Sequence, residues 1–217
     1  MQGAAGAGEN MNIKNACTEK NYHNAFFLSL VLSITIPLPS YANAGVPMIF
    51  ISYPVMLAML VPVIGLETHV FHKIFNVSYK RSLLSNSVSN AVSTLAGYPL
   101  AWGFLFGIEI IATGGSCGPG FDTVPDSIIT VIVESAWLCP WESRLYWLVP
   151  AAFIISLFAA FIFSMIIEYY IGRLFYKSHD KILLRKAVLL SNIFSYALLM
   201  AVGIIYLAYS IIDKQYN

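Results

Sequence analysis

Residues 145–167 read LYWLVPAAFIISLFAAFIFSMII, 23 residues without a charge. At 1.5 Å rise per residue, a helix of that length crosses a hydrocarbon core of roughly 30 Å. Three further stretches do the same: 46–66 has no charge over 21 residues, 187–212 none over 26, and 87–112 only Glu109 over 26. Pro47, Pro54, Pro62, Pro99 and Pro150 fall inside these runs, as membrane helices tolerate. The expectation is an all-α membrane protein of four transmembrane helices.

Composition agrees. Of 217 residues, 58% are hydrophobic and 11% charged, against about a quarter charged in soluble domains. A net charge of +1 gives no sign of a nucleic-acid partner. The expected partners are the lipid bilayer and other membrane proteins, or a second copy of the chain.

Ahead of the first span, residues 25–37 (AFFLSLVLSITIP) form an apolar run too short to cross comfortably. Lys14 and Lys20 precede it, and Ala42-Asn43-Ala44 follows. A basic start, a short apolar core and an Ala-x-Ala ending predict a secretory signal over 1–44, cleaved after Ala44. Gly45 would then begin a mature four-span domain, 45–217. The alternative is an uncleaved anchor helix.

Charge asymmetry predicts the direction of each span. Lys73, Lys80 and Arg81 separate the first two spans, and Arg173, Lys177, Lys181, Arg185 and Lys186 the last two. The central connection, 113–144, has Arg144 alone against Asp122, Asp126, Glu134 and Glu142. The positive-inside rule places loops 67–86 and 168–186 in the cytoplasm and 113–144 outside. Both mature termini then lie outside a plasma (inner) membrane. Within the outer connection, Ser127–Leu138 is apolar but only 12 residues long, so it is expected on the surface or as a re-entrant piece.

A pattern occurs twice. Leu66-Glu67, a basic turn and Ser89-Asn90-Ala91-Val92-Ser93 are matched by Ile167-Glu168, a basic turn and Ser191-Asn192-Ile193-Phe194-Ser195. Two spans separate corresponding points, so the copies face the same way: two hairpins forming a parallel repeat.

Glu67, Asn90, Ser93, Glu168, Asn192 and Ser195 therefore form a candidate polar intramembrane site, with Glu109 in the outer part of the second span. Ionisable groups within a bilayer are expensive and usually find partners. One reading is a proton or cation site. The other, which the sequence favours, is a clasp holding each hairpin together, helped by small residues at Ser89, Ser93 and Gly97 and again at Ala187, Ser191 and Ser195. Glu109 sits about two turns from the outer surface, so reaching water is an alternative to a functional role.

Cys117 and Cys139 share the outer connection and are expected to pair as a structural disulfide. A thiol-exchange role would more usually employ Cys-x-x-Cys, which is absent. His69 and His72 form a lone His-x-x-His, a weak metal signal that the second copy lacks. Gly114–Gly120 is glycine-rich without the lysine of a phosphate loop, and no hydrolase elbow or zinc-protease signature appears. Trp137, Trp141, Tyr146 and Trp147 read as an interfacial belt. No cofactor or catalytic residue is indicated. The expectation is a non-enzymatic structural or accessory protein of a membrane complex. The alternatives are a small transporter or channel using the Glu/Asn pairs, or a membrane thiol oxidoreductase.

Overall fold

The computed structural model describes residues 45–216. Residues 1–44, where a cleaved signal is expected and which include Cys17, lie outside the described residues. Among the described residues, four helices are long and apolar enough to cross a membrane: α1 (Met48–Phe75), α2 (Tyr79–Thr113), α4 (Leu145–Phe175) and α5 (Lys181–Tyr216). Between α2 and α4 lie a short helix, α3 (Val124–Val133), and strand β2 (Trp137–Leu138), which pairs antiparallel with β1 (Val46–Pro47).

The helices overrun their expected spans. The loops anticipated at 67–86 and 168–186 shrink to turns at 76–78 and 176–180. Loss of hydropathy marks where lipid contact ends, whereas a helix continues until its backbone is capped. Lys, Arg and Glu are good helix formers and extend it past the apolar run. α1 stops only at Asn76, whose left-handed backbone (φ 50°) lets its N–H bond His72 O. Glu67 and Glu168 consequently lie inside their helices, and Asn90 lies 11 residues beyond the start of α2. These correct the expected placement at span ends.

Within α2 the helix opens into one π turn, Ser93–Gly97, just before Pro99. Proline has no N–H to give the carbonyl four residues back, here that of Leu95, which instead receives Tyr53 Oη at 3.4 Å.

Around the bundle, α1 packs on α2 and α5, and α4 packs on α2 and α5. Helices α1 and α4 are therefore diagonal. Met56, Val63, Tyr98, Ala101, Ala152, Leu157, Ala160 and Leu199 fill the core between them. At the basic end a second cluster gathers Phe71, Phe75, Tyr176, Leu184, Ala187 and Val188. Large apolar side chains such as Phe50, Val61, Leu95, Ile111, Phe158 and Ile205 are exposed outward, as suits helices surrounded by lipid.

The opposite end is closed by residues 114–144. Cys117 and Cys139 lie at disulfide-bonding distance, with sulfurs 2.04 Å apart. The segment expected at Ser127–Leu138 is split: α3 is capped by Thr123, whose Oγ1 accepts from Asp126 N, and the chain then turns into β2. Met48 N and Trp102 Nε1 both donate to Ala136 O at 2.9 Å, fastening this cap onto α1 and α2. The tryptophans expected as a lipid-facing belt are partly built into the cap. Trp141 and Trp147 pack edge-on against Phe121, and Trp137 lies against Phe106.

Candidate functional site

The diagonal helices bring two carboxyl groups to the centre of the bundle. Glu67 on α1 and Glu168 on α4 are 1% and 3% exposed. Each lies seven or eight residues from the basic end of its helix, about 11 Å along the axis.

Glu67 Oε2 accepts from Asn90 Nδ2 at 2.6 Å, and its Oε1 accepts from Ser195 Oγ at 2.6 Å. Glu168 Oε2 accepts from Asn192 Nδ2 at 2.6 Å, and its Oε1 from Ser93 Oγ at 3.0 Å. Each acid thus takes an amide from the next helix of its own hairpin and a hydroxyl from the other hairpin. The pairing of Glu with Asn matches the expectation from spacing. The serines do not stay within their hairpins, so the network joins the two helices of each hairpin through the amide and also ties one hairpin to the other through the hydroxyl. Asn90 and Ser93 on α2 hold one acid each, as do Asn192 and Ser195 on α5, so the two carboxyl groups lie side by side.

The orientation of the amides is fixed locally. Asn90 Nδ2 also donates to Asn86 O, and Asn192 Nδ2 to Val188 O, each at 3.0 Å. Both amides therefore turn N–H groups, not carbonyl oxygens, toward the acids. Two serines do likewise with O–H. The carboxyl oxygens are ringed by donors, and no amide carbonyl faces them as a ligand. A void of about 20 Å³ adjoins Glu168 between the polar side chains of Asn90, Ser93, Ser164 and Tyr196 and an apolar wall that includes Met56, Val63 and Leu199, enough for one water with polar partners. Gly97 faces Ile167, where an added Cβ would approach to 2.8 Å. That contact explains the small residue in the stripe.

Among the described residues, seven buried side-chain polar atoms lack a hydrogen-bond partner, and four of them are on Thr68, Ser82, Ser85 and Asn86. Thr68 neighbours Glu67, and the other three share the buried face of α2 that continues to Asn90 and Ser93. Orphaned buried polar groups are rare and call for an explanation.

The other candidates fall elsewhere. Glu109, 7% exposed, is not part of the pair: its Oε2 accepts from Trp137 N at 3.0 Å and ties α2 to β2. His72 Nδ1 bonds Val77 O at 2.7 Å, closing the first basic turn, and His69 enters no cluster with it among the described residues. Sequence reasoning missed Glu134. Fully buried, it accepts from Gly118 N (2.6 Å), Cys139 N (3.2 Å) and Trp141 Nε1 (2.8 Å), bracing both ends of the disulfide loop. The available signal was a single carboxylate inside an otherwise apolar stretch. Cys117, Glu134 and Cys139 converge, but the sulfurs are spent on each other.

No protein-family model matches the chain, and comparison with curated proteins and with solved structures finds no significant match.

Proposed function

We propose that this is a multi-pass plasma-membrane protein built around a proton-binding carboxyl pair, acting as a small proton-conducting or proton-coupled transporter rather than as an enzyme. The observation that carries this reading is the meeting of Glu67 and Glu168 in the bundle centre, ringed by donors. Two carboxyl groups buried side by side favour a proton on one of them, because two like charges close together in a low-dielectric interior are costly. Both amides present N–H groups rather than carbonyl oxygens to the carboxyl pair, and donors occupy the oxygens a metal cation would use, which favours a proton over a metal cation. A clasp alone would be made as well by amides, without introducing ionisable groups into the membrane.

In this reading the two hairpins are a parallel repeat. The reciprocal bonding supports it, since exchanging the hairpins exchanges the two Glu–Asn–Ser sets. The basic end faces the cytoplasm by the positive-inside rule. The cap with its cysteine pair lies in an oxidising compartment, and a signal ending at Ala44 delivers Gly45 to that side. A second reading, an accessory subunit in which the network only clasps the hairpins, draws support from the serines that cross between them.

Infrared spectroscopy of the purified protein in lipid separates the two. A proton-binding pair gives a protonated-carboxyl band at neutral pH that is lost or shifted in Glu67→Gln and Glu168→Gln, and vesicles holding the protein pass protons under an applied potential. No such band, with folded protein and no flux, would leave the clasp as the sole role.

A further inference from the structure

We infer that the buried face of α2 formed by Ser82, Ser85, Asn86 and Ser89 is a hydrated path joining the carboxyl pair to the basic end of the bundle. This rests on the proton-binding reading above and adds the route and side of access.

Ser82, Ser85, Asn86, Ser89, Asn90 and Ser93 recur at helical spacing and are all at most 3% exposed. From Ser82 to Ser93 they run 11 residues, about 16 Å of helix. Ser82 Oγ, Ser85 Oγ and Asn86 Nδ2 have no partner in the protein, nor does Thr68 Oγ1 on the facing helix beside Glu67. Three orphaned groups along one face of α2, with a fourth opposite them on α1, are what a file of water molecules would satisfy, each water needing two or more polar partners. The mouth lies where Arg81 stands over the Tyr176 ring at 5.1 Å and its guanidinium donates to Phe175 O. Tyr176 Oη is itself buried and unpartnered there.

The second hairpin provides the internal control. Counting 102 residues on from Ser82, Ser85, Asn86, Ser89, Asn90 and Ser93 gives Leu184, Ala187, Val188, Ser191, Asn192 and Ser195. The inner three match; the three toward the basic end are apolar and packed with Phe71, Phe75 and Tyr176. Access from the basic end is therefore through the first hairpin alone. A proton taken from water at the mouth moves inward by exchange along the file until a carboxylate oxygen of the pair accepts it, with no change in redox state.

The test grafts the second hairpin's residues onto the first: Ser82→Leu, Ser85→Ala and Asn86→Val together, in the full chain in lipid. The readout is the rate at which the protonated-carboxyl infrared band shifts on transfer to D2O. The graft is expected to slow exchange by about tenfold or more, equivalent to about 1.4 kcal/mol on the barrier, while leaving the band itself present. The single variant Ser85→Ala, which removes one hydroxyl and adds no bulk, is expected to slow it less, and it decides the matter if the triple variant does not fold. Unchanged exchange in folded variants that retain the band overturns the path and leaves the proton-binding pair standing. Absence of the band in the unmodified protein overturns both.

Discussion

From the basic end inward, the first hairpin presents Ser82, Ser85 and Asn86 where the second presents Leu184, Ala187 and Val188. A turn further in, both present Ser-Asn-x-x-Ser, whose Asn and second Ser each donate to a glutamate. The two halves thus agree where they touch the carboxyl pair and differ on the way to it. The difference is also thermodynamic. Apolar side chains on α5 join Phe71, Phe75 and Tyr176 in a dry cluster, whereas on α2 the corresponding atoms are buried without partners. A core built for stability alone would resemble the second hairpin on both sides, since an unsatisfied buried polar group costs about 1–3 kcal/mol. The polar half therefore reads as retained for hydration.

The comparison can be broken first at its shared centre. Glu168→Ala removes one acid and strands the Asn192 and Ser93 donors; at about 1–3 kcal/mol for each buried donor left unpaired, the expected loss is about 2–6 kcal/mol. Thermal unfolding in detergent should show a clear fall in midpoint, with Glu168→Gln milder because the amide oxygen still accepts one bond. A fall no larger than that of an exposed lipid-facing variant such as Ile205→Ala would mean the network does not tie the hairpins.

Reduction of the Cys117–Cys139 pair, or Cys117→Ser, tests whether the cap stands apart from that centre. Opening a 22-residue separation releases loop entropy worth roughly 3 kcal/mol. Protease sensitivity should rise in 114–144 while the carboxyl infrared band stays unchanged. Loss of the band would show that cap and pair are coupled.

Two exchanges then sharpen the contrast between hairpins. Val188→Asn puts a first-hairpin residue into the dry cluster of the second and should destabilise by about 1–3 kcal/mol, the cost of an unpartnered buried amide. The reverse change, Asn86→Val, deletes an amide nitrogen that has no protein partner but is met by water on a hydrated face, so it should leave stability unchanged to within about 1 kcal/mol. Equal and opposite penalties, read from unfolding midpoints, would contradict the assignment of one wet and one dry face.

Much of the candidate site was legible because its signals are local. The Glu-to-Asn separations of 23 and 24 residues are set by two helices and a short turn, so spacing alone placed carboxylate and amide at one depth. The serines were legible as residues but not as partners. Which glutamate Ser93 or Ser195 meets depends on how the hairpins cross, and nothing in either hairpin's sequence states that. Helix ends were misplaced because hydropathy reports the solvent, not the hydrogen bonds; Asn76 stops α1 by its backbone conformation. Glu134 was passed over because its donors, Gly118, Cys139 and Trp141, come together only once the disulfide loop closes.

The amino-acid sequence by itself determined that four helices are long and apolar enough to cross a membrane, that the basic residues gather at one end, and that a carboxylate and an amide recur at matched spacing. These follow from periodicity, composition and helix rise, which act over one or two turns of chain. Only the tertiary structure decided that α1 and α4 lie diagonally, that their acids meet, that the serines cross between hairpins, and that the polar face of α2 ends on that pair. Those outcomes depend on packing between helices distant in sequence, where steric fit and the demand for hydrogen-bond partners in a low-dielectric interior choose among arrangements that the sequence pattern leaves equal.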